Sequence, residues 1–65
     1  MRVIVNQTER QLPLGSKVSD VLGLIDAKPP YAVAVNLSFV PKTKHAEHIL
    51  QENDRIEIIA PVTGG

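Results

Sequence analysis

Apolar and polar residues alternate along several short stretches of this chain and follow a helical period along another. Alternation is typical of β-strands, and it predicts strands at residues 1–5, 10–14, 31–35, 39–40 and 55–60. A helix is predicted at residues 18–27, because apolar side chains recur there with helical spacing, at Val18, Val21, Leu22 and Ile25. Polar runs at residues 6–9 and 36–38 predict turns. One apolar helical stripe can cover one face of one sheet, so the pattern predicts a two-layer α+β domain.

Capping and breaker residues set the predicted limits of the helix. Ser16 is the predicted N-cap, and Asp20 brings a negative charge to the positive end of the helix dipole. Gly23 weakens the helix by about 1 kcal/mol relative to alanine. Pro29 and Pro30 cannot continue a helix, so it is predicted to end before them.

The loops carry further signals. Pro13 cannot donate a ladder hydrogen bond, so the second strand is predicted to lie at a sheet edge. Residues 42–50 are predicted to be irregular or to form a single helical turn, with Ile49 and Leu50 anchored in the core. Asn53 is the predicted left-handed backbone position of the last turn, because asparagine tolerates that conformation better than most residues.

The composition narrows the class of protein. A chain of 65 residues forms one domain, and 43% apolar residues favour a folded one. The net charge of zero does not favour nucleic acid or an anionic membrane as partner. The lack of cysteine excludes disulfides, thiol catalysis and cysteine-based zinc sites. No apolar run is long enough for a bilayer and no signal peptide is evident, so we expect a cytoplasmic protein.

The chain carries no recognisable catalytic or metal-binding motif. His45 and His48 flank Glu47, but the H-E-x-x-H pattern is absent and no third ligand is evident. We therefore interpret both histidines as solvated residues on a polar turn and predict no metal site. A nucleophile–base pair, a phosphate-binding glycine loop and a paired-carboxylate motif are also absent from the sequence, which indicates that the protein is not an enzyme.

The final residues have a composition that packing does not explain. We predict a folded domain over residues 1–60 and a flexible tail over residues 61–65. Gly64 and Gly65 have no Cβ, so such a tail can pass through a channel that would reject any side chain. A terminal carboxylate on Gly65 is ionised at neutral pH. It can attack the α-phosphate of a nucleotide in a partner's active site to give an acyl-adenylate, which predicts that the chain is a carried substrate.

The whole chain resembles the ThiS family of sulfur-carrier proteins in thiamin biosynthesis. The similar segments are MRVIVN at residues 1–6, AVN at 34–36, VP at 40–41, HILQ at 48–51, DRI at 54–56 and VTGG at 62–65. The resemblance implies a ubiquitin-like β-grasp fold, in which a mixed sheet of four to five strands packs on one short helix. It also implies that the first and last strands are parallel neighbours at the centre of the sheet.

The resemblance further implies a mechanism and a set of partners. An E1-like adenylyltransferase of the ThiF or MoeB type would use ATP and magnesium to adenylate the carboxylate of Gly65. A cysteine desulfurase or related donor would supply sulfur, and the resulting thiocarboxylate would give it to a ThiG-type thiazole synthase. The chain itself would bind no cofactor and would serve its partners as a co-substrate.

Three alternatives remain at this point. A MoaD-like carrier gives sulfur to molybdopterin and ends in the same way, although such chains are usually longer. The chain is otherwise a ubiquitin-like modifier that is attached to lysines, or a non-catalytic binding module in which the two terminal glycines are incidental.

Strand alternation also suggests where partners bind. In the first and last strands, Ile4 and Ile59 are predicted to face away from the helix, and with Phe39 they would form an apolar patch on the open sheet face. Val62 and Thr63 lie between that patch and the terminal glycines and are predicted to contact the same partners. The alternative is an ordinary scatter of exposed apolar side chains.

Overall fold

The computed structural model describes residues 1–59 and folds them into a five-stranded mixed sheet with one α-helix packed on one face. In chain order the elements are β1 (Arg2–Val5), β2 (Thr8–Gln11), α1 (Val18–Leu24), β3 (Ala32–Val35), β4 (Ser38–Val40), a 3₁₀ turn (Lys42–Lys44) and β5 (Arg55–Ile59). The predicted α+β architecture and the predicted order of elements are confirmed. Over this range of the chain, no helix is long and apolar enough to cross a membrane.

The last strand lies in the middle of the sheet, whose order is β2-β1-β5-β3-β4. β1 and β5 are parallel neighbours, with Ile4 opposite Arg55 and Val5 opposite Ile56. On its other side, β5 pairs antiparallel with β3. The edge strands β2 and β4 each form an antiparallel hairpin with the strand beside them. The parallel central pair that the resemblance implied is therefore confirmed.

Both hairpins turn within two residues. The φ angles are 47° and 69° at Asn6 and Gln7, and 51° and 69° at Asn36 and Leu37. Positive φ at both central residues is typical of the type I′ turn, whose twist matches that of the flanking strands. The first turn is therefore shorter than the polar run suggested, and β2 begins earlier than predicted.

The position predicted for the second strand, residues 10–14, is wrong, although β2 does lie at a sheet edge as predicted. β2 ends at Gln11, because the ladder cannot continue through Pro13, which has no N–H to donate. Between these two residues, Leu12 leaves the strand and is buried, and its N–H donates to the carbonyl of Met1 at 2.8 Å.

The helix begins at a different cap from the one predicted. Lys17 is the N-cap residue, and its backbone N–H donates to the carboxylate of Asp20 at 2.8 Å. The prediction of Ser16 is wrong, because its hydroxyl donates to the carbonyl of Pro13 at 2.7 Å. Asp20 thus acts at the helix start as predicted, near the positive end of the dipole.

The helix also ends earlier than predicted, at Leu24 rather than at residue 27. Asp26 has a φ of 54°, and its N–H donates to the carbonyl of Gly23 at 3.2 Å. The N–H of Ala27 reaches back to the carbonyl of Leu22 at 3.0 Å. This pair of bonds is a Schellman motif, which satisfies the last helical carbonyls and turns the chain out of the helix. The motif stops the helix before the prolines do.

The core lies between the helix and one face of the sheet. Its buried apolar side chains are Val3, Val5, Leu12, Val18, Val21, Leu22, Val33, Val35, Val40, Leu50 and Ile56. Ile58 is partly buried and packs against them. These residues include the alternate positions of β1, β3 and β5. Ile4 and Ile59 therefore face away from the helix, as predicted.

The long loop before β5 is anchored through one residue instead of two. Leu50 is 2% exposed, as predicted, whereas Ile49 is 57% exposed, so its predicted role in the core is wrong. Ile49 forms a single antiparallel bridge with Lys17. Adjacent residues of an extended backbone face opposite sides, so only one of the two can point inward. At the end of the loop, Asn53 has a φ of 69°, which confirms its left-handed conformation.

Candidate functional site

β5 is the element that leads to the predicted reactive end of the chain. It lies between β1 and β3, and Ile56 at its first inward position is 1% exposed. Ile59 is the last residue of β5. The predicted tail residues lie outside the described residues, namely Val62, Thr63, Gly64 and Gly65. The described part of the site is therefore the base of the tail, where β5 ends.

The start of β5 is fixed by the second hairpin turn. The N–H of Arg55 donates to the side-chain carbonyl of Asn36 at 3.0 Å, and the Asn36 amide donates to the carboxylate of Asp54 at 2.9 Å. On the other side, the N–H of Ile4 donates to the carbonyl of Asp54 at 2.9 Å. These bonds fix the register in which β5 enters the sheet.

The end of β5 is fixed by the first hairpin turn. The backbone N–H of Asn6 donates to the carbonyl of Ile56 at 2.9 Å. The side-chain carbonyl of the same asparagine accepts from the N–H of Ile58 at 2.8 Å. One residue of the turn thus holds two alternate positions, Ile56 and Ile58, of the strand that leads to the tail.

A shallow hollow opens beside the end of β5 on the sheet face opposite the helix. Its volume is about 270 Å³, and its lining residues are Ile4, Asn6, Gln7, Arg55, Ile56, Glu57 and Ile59. The hollow combines three isoleucines with one basic and one acidic side chain. Such a mixture is typical of surfaces that bind another protein. Apolar residues there supply buried area, and charges that meet opposite charges on the partner fix its orientation.

The three residues predicted to form a docking patch all lie on the open face, where charged side chains of β5 are interspersed with them. Ile4 is half-buried, whereas Phe39 is 68% and Ile59 is 60% exposed. Ile4 stands opposite Arg55 in the sheet. It shares the hollow with Ile59, while Glu57 lies on β5 between Arg55 and Ile59.

Two alanines of β3, for which no role was predicted from the sequence, lie between Phe39 and Ile59 on this face. Ala34 stands opposite Phe39, and Ala32 stands opposite Ile59. We call these four residues the open-face strip. The alternation of alanine and valine in the third strand could have indicated it, because the alanines must face away if the valines face the helix.

The two histidines have structural surroundings that differ from the prediction. His45 is 7% exposed, its Nε2 lies 3.0 Å from the carbonyl of Val40, and its ring stacks on Tyr31 at a centroid distance of 6.0 Å. The prediction of a solvated residue is therefore wrong for His45, which packs against the core, and His48 is half-buried. No group of three or more His, Cys, Asp or Glu side chains within residues 1–59 is arranged to hold a metal ion.

Comparison with known sequences gives matches over the whole chain. Residues 2–65 match the model of the ThiS family. The sulfur carrier protein ThiS of Escherichia coli is 30% identical over 66 aligned positions, which cover all of both chains. A thiazole synthase of Paramagnetospirillum magneticum is 33% identical over 67 positions, which cover all of this chain but 20% of that protein.

Comparison with solved structures identifies the same fold. The crystal structure of the thiamine biosynthesis protein ThiS from Geobacter metallireducens matches with a TM-score of 0.82, and the match covers all of both chains. The sequence identity is 16%, so this likeness concerns the fold alone. It confirms the predicted ubiquitin-like β-grasp fold.

Proposed function

Because the chain belongs to the ThiS family of sulfur carriers, we propose that its reactive group is the carboxylate of Gly65. The observation that carries this proposal is the match to the family over residues 2–65, which includes both terminal glycines. The protein is a carrier rather than a catalyst. Its partners would therefore supply the chemistry, and the chain would supply the group on which they act.

The proposed reaction has two stages. An E1-like adenylyltransferase of the ThiF or MoeB type, using ATP and magnesium, joins the Gly65 carboxylate to the α-phosphate and releases pyrophosphate. The outer sulfur of a persulfide then displaces AMP and forms an acyl disulfide with Gly65. A thiol, such as free cysteine, reduces that S–S bond, which leaves a thiocarboxylate on Gly65 and a free thiol on the donor. The persulfide comes from a cysteine desulfurase or a related donor. The chain binds no cofactor itself in this scheme, and all its reactions take place in the cytoplasm.

We further propose that the sulfur is used to build the thiazole ring of thiamin. In the thiazole synthase of Paramagnetospirillum magneticum, a segment similar to this whole chain makes up 20% of the protein. A thiazole synthase whose own chain includes a carrier-like segment supports a ThiG-type synthase as the partner of this chain.

The open sheet face is the proposed docking surface for these partners. Phe39 and Ile59 are large apolar side chains that water reaches freely, and the open-face strip connects them across β3. Ile4 adds apolar surface in the adjoining hollow. The strip and the hollow both include Ile59, the last residue of β5. A partner bound there would therefore contact the residue from which the chain continues toward Val62, Thr63 and the terminal glycines.

Growth without thiamin tests the proposed pathway. A bacterial strain that lacks its own ThiS should grow without thiamin when it expresses this chain, and it should fail when it expresses the chain without Gly65. Added thiazole precursor should restore growth in the second case, because the defect lies in thiazole formation.

The matched control is a strain that lacks its molybdopterin sulfur carrier. We expect no restoration of molybdoenzyme activity there. Restoration in that strain, with no growth in the first, would replace the thiazole proposal with the MoaD-like alternative. Equal growth with and without Gly65 would remove the terminal carboxylate from the mechanism.

A further inference from the structure

Asn6, in the turn of the first hairpin, makes two hydrogen bonds to the last strand. Its backbone N–H donates to the carbonyl of Ile56 at 2.9 Å, which continues the parallel ladder between β1 and β5. β1 itself ends at Val5, and the chain then turns away with φ angles of 47° at Asn6 and 69° at Gln7. Because the chain turns away here, the backbone of β1 does not supply the carbonyl that would accept the next N–H of β5, that of Ile58.

The side chain of Asn6 extends the ladder past that point. Its carbonyl oxygen accepts from the N–H of Ile58 at 2.8 Å, as the next backbone carbonyl of a straight strand would. The N–H groups of a strand point alternately to its two sides, and that of Ile58 points toward β1. β3 therefore cannot satisfy it, although Val33 stands opposite Ile58 in the sheet.

We propose that Asn6 is a positioning residue for the reaction at Gly65. By holding Ile58 on the β1 side while β3 holds the other side, it fixes where β5 ends and therefore where the tail begins. A tail that starts from a fixed point places its carboxylate in the partner's active site in a larger fraction of the docked complexes. This inference rests on the proposed function and adds a residue to it.

Asn36 provides a control within the same chain. It holds the equivalent position of the other type I′ turn, with a φ of 51°, and its side-chain carbonyl also accepts from a β5 N–H, that of Arg55 at 3.0 Å. Asn36 acts at the start of β5, whereas Asn6 acts at its end. The Asn36 amide also donates to Asp54 at 2.9 Å, so a purely structural loss should be at least as large at Asn36 as at Asn6. A loss of tail positioning should appear only at Asn6.

Glycine is the substitution that isolates the side-chain hydrogen bond. Asn6→Gly and Asn36→Gly each remove the acceptor and tolerate positive φ without strain, so the turns can persist. Asn6→Asp keeps both an acceptor oxygen and a residue type that tolerates left-handed backbone. Thermal unfolding of each variant establishes that it is folded at the assay temperature.

The test is the steady-state rate at which a ThiF-type adenylyltransferase releases pyrophosphate, with the full chain as the varied substrate. Asn6→Gly should lower kcat by about three- to tenfold, in keeping with one lost hydrogen bond, while KM stays within about twofold. KM should change little because the substitution leaves all four residues of the open-face strip in place, and these supply most of the proposed apolar contact with the partner. Asn36→Gly should keep the original kcat, and Asn6→Asp should recover most of it.

Each other outcome has a definite meaning. An unchanged kcat for Asn6→Gly, a change in KM alone, or equal losses for both glycine variants would each overturn the positioning role and leave the carrier function standing. Failure of Asn6→Asp to recover any kcat would also overturn it, because the acceptor would then not be the cause. An unsubstituted chain that releases no pyrophosphate would overturn the proposed function itself and this inference with it.

Discussion

Asparagines occupy three left-handed backbone positions among the described residues, at Asn6, Asn36 and Asn53. Two of them also use the side chain to hold β5, whereas Asn53 lies in the loop that leads into it. Residues other than glycine pay a steric cost in this conformation, and asparagine pays less than most. At the scale of single residues, these positions shape the turns around the central strand.

The cost of the left-handed position can be measured at Asn53, whose φ is 69°. Asn53→Ala should lower the free energy of unfolding by about 1 kcal/mol. Both residues have a Cβ that crowds the carbonyl oxygen in this conformation, but only asparagine has a short polar side chain that can offset the cost by hydrogen-bonding locally. Asn53→Gly should stay within about 0.5 kcal/mol of the original chain. Urea unfolding checks both values. Equal stabilities for the alanine and glycine variants would show that backbone conformation is not what selects asparagine here.

A second residue-scale prediction uses two isoleucines of β5. Ile56 is 1% exposed and Ile59 is 60% exposed. Ile56→Val should cost about 1 kcal/mol through the buried methyl group that it removes, and Ile59→Val should cost less than about 0.5 kcal/mol. The comparison of urea midpoints tests the assignment of inward and outward faces. A larger loss at Ile59 would contradict that assignment.

The left-handed conformation of Asn53 was predictable from the sequence, whereas the equivalent conformation of Asn6 and Asn36 was not. The residues around Asn53 are all polar and unambiguous as a turn, so the left-handed position could be assigned. In the first hairpin, the polar run continues into the next strand, and several two-residue turns fit it equally well. The hydrogen bonds to β5 could not be predicted, because they depend on tertiary pairing of residues that are far apart in sequence.

At the scale of elements, α1 shows how local bonds override a periodic pattern. Ile25 continues the apolar stripe, and the prolines stand further on, so the pattern alone favours a longer helix. The structure ends the helix at Leu24, with Asp26 in the left-handed position of a Schellman motif. Element type and order follow from periodicity, whereas the end residues depend on which carbonyls find partners. β2 likewise starts earlier than predicted because Thr8 pairs with Val5 across the two-residue turn.

Two glycines allow the backbone contribution of the helix to be isolated. A Cβ added at Gly23 or at Gly15 would meet no atom within 4 Å, but Gly15 has a φ of 86°. Gly23→Ala should therefore raise the free energy of unfolding by about 0.5–1 kcal/mol, because alanine is the better helix former.

Gly15→Ala is the matched variant of opposite sign. It should lower the free energy of unfolding by at least about 1 kcal/mol, because its backbone conformation strains any L side chain. Both values come from urea unfolding. Destabilisation by Gly23→Ala would contradict the open surroundings of that position.

At the scale of the whole molecule, the two faces of the sheet have different roles. One face packs on α1 and forms the core, and the other bears the open-face strip and the hollow. The open face was predicted correctly in outline, since alternation assigned Ile4, Phe39 and Ile59 to it. Its charged residues and the connecting alanines were not predicted, because cross-strand neighbours depend on the register of the sheet.

The docking role of the open face gives a prediction for partner binding. Ile59→Asp should raise the KM for adenylation by about tenfold, because it replaces apolar contact area with a charge. Its control is Leu14→Asp, at a residue that is 86% exposed and lies by a different surface hollow. Leu14→Asp should leave KM unchanged. Unchanged adenylation and sulfur transfer with Ile59→Asp would remove the open face as the docking surface.

The central claim is that Gly65 carries the sulfur, and intact mass spectrometry with fragmentation tests it most directly. The chain is incubated with ATP, magnesium, a ThiF-type adenylyltransferase, cysteine and a cysteine desulfurase. We expect it to gain the mass of one oxygen-to-sulfur exchange, located by fragmentation at Gly65, and to gain nothing when ATP is omitted. No change of mass with a partner that adenylates its own carrier would contradict the claim, as would sulfur at any other residue or conjugation of the chain to lysines.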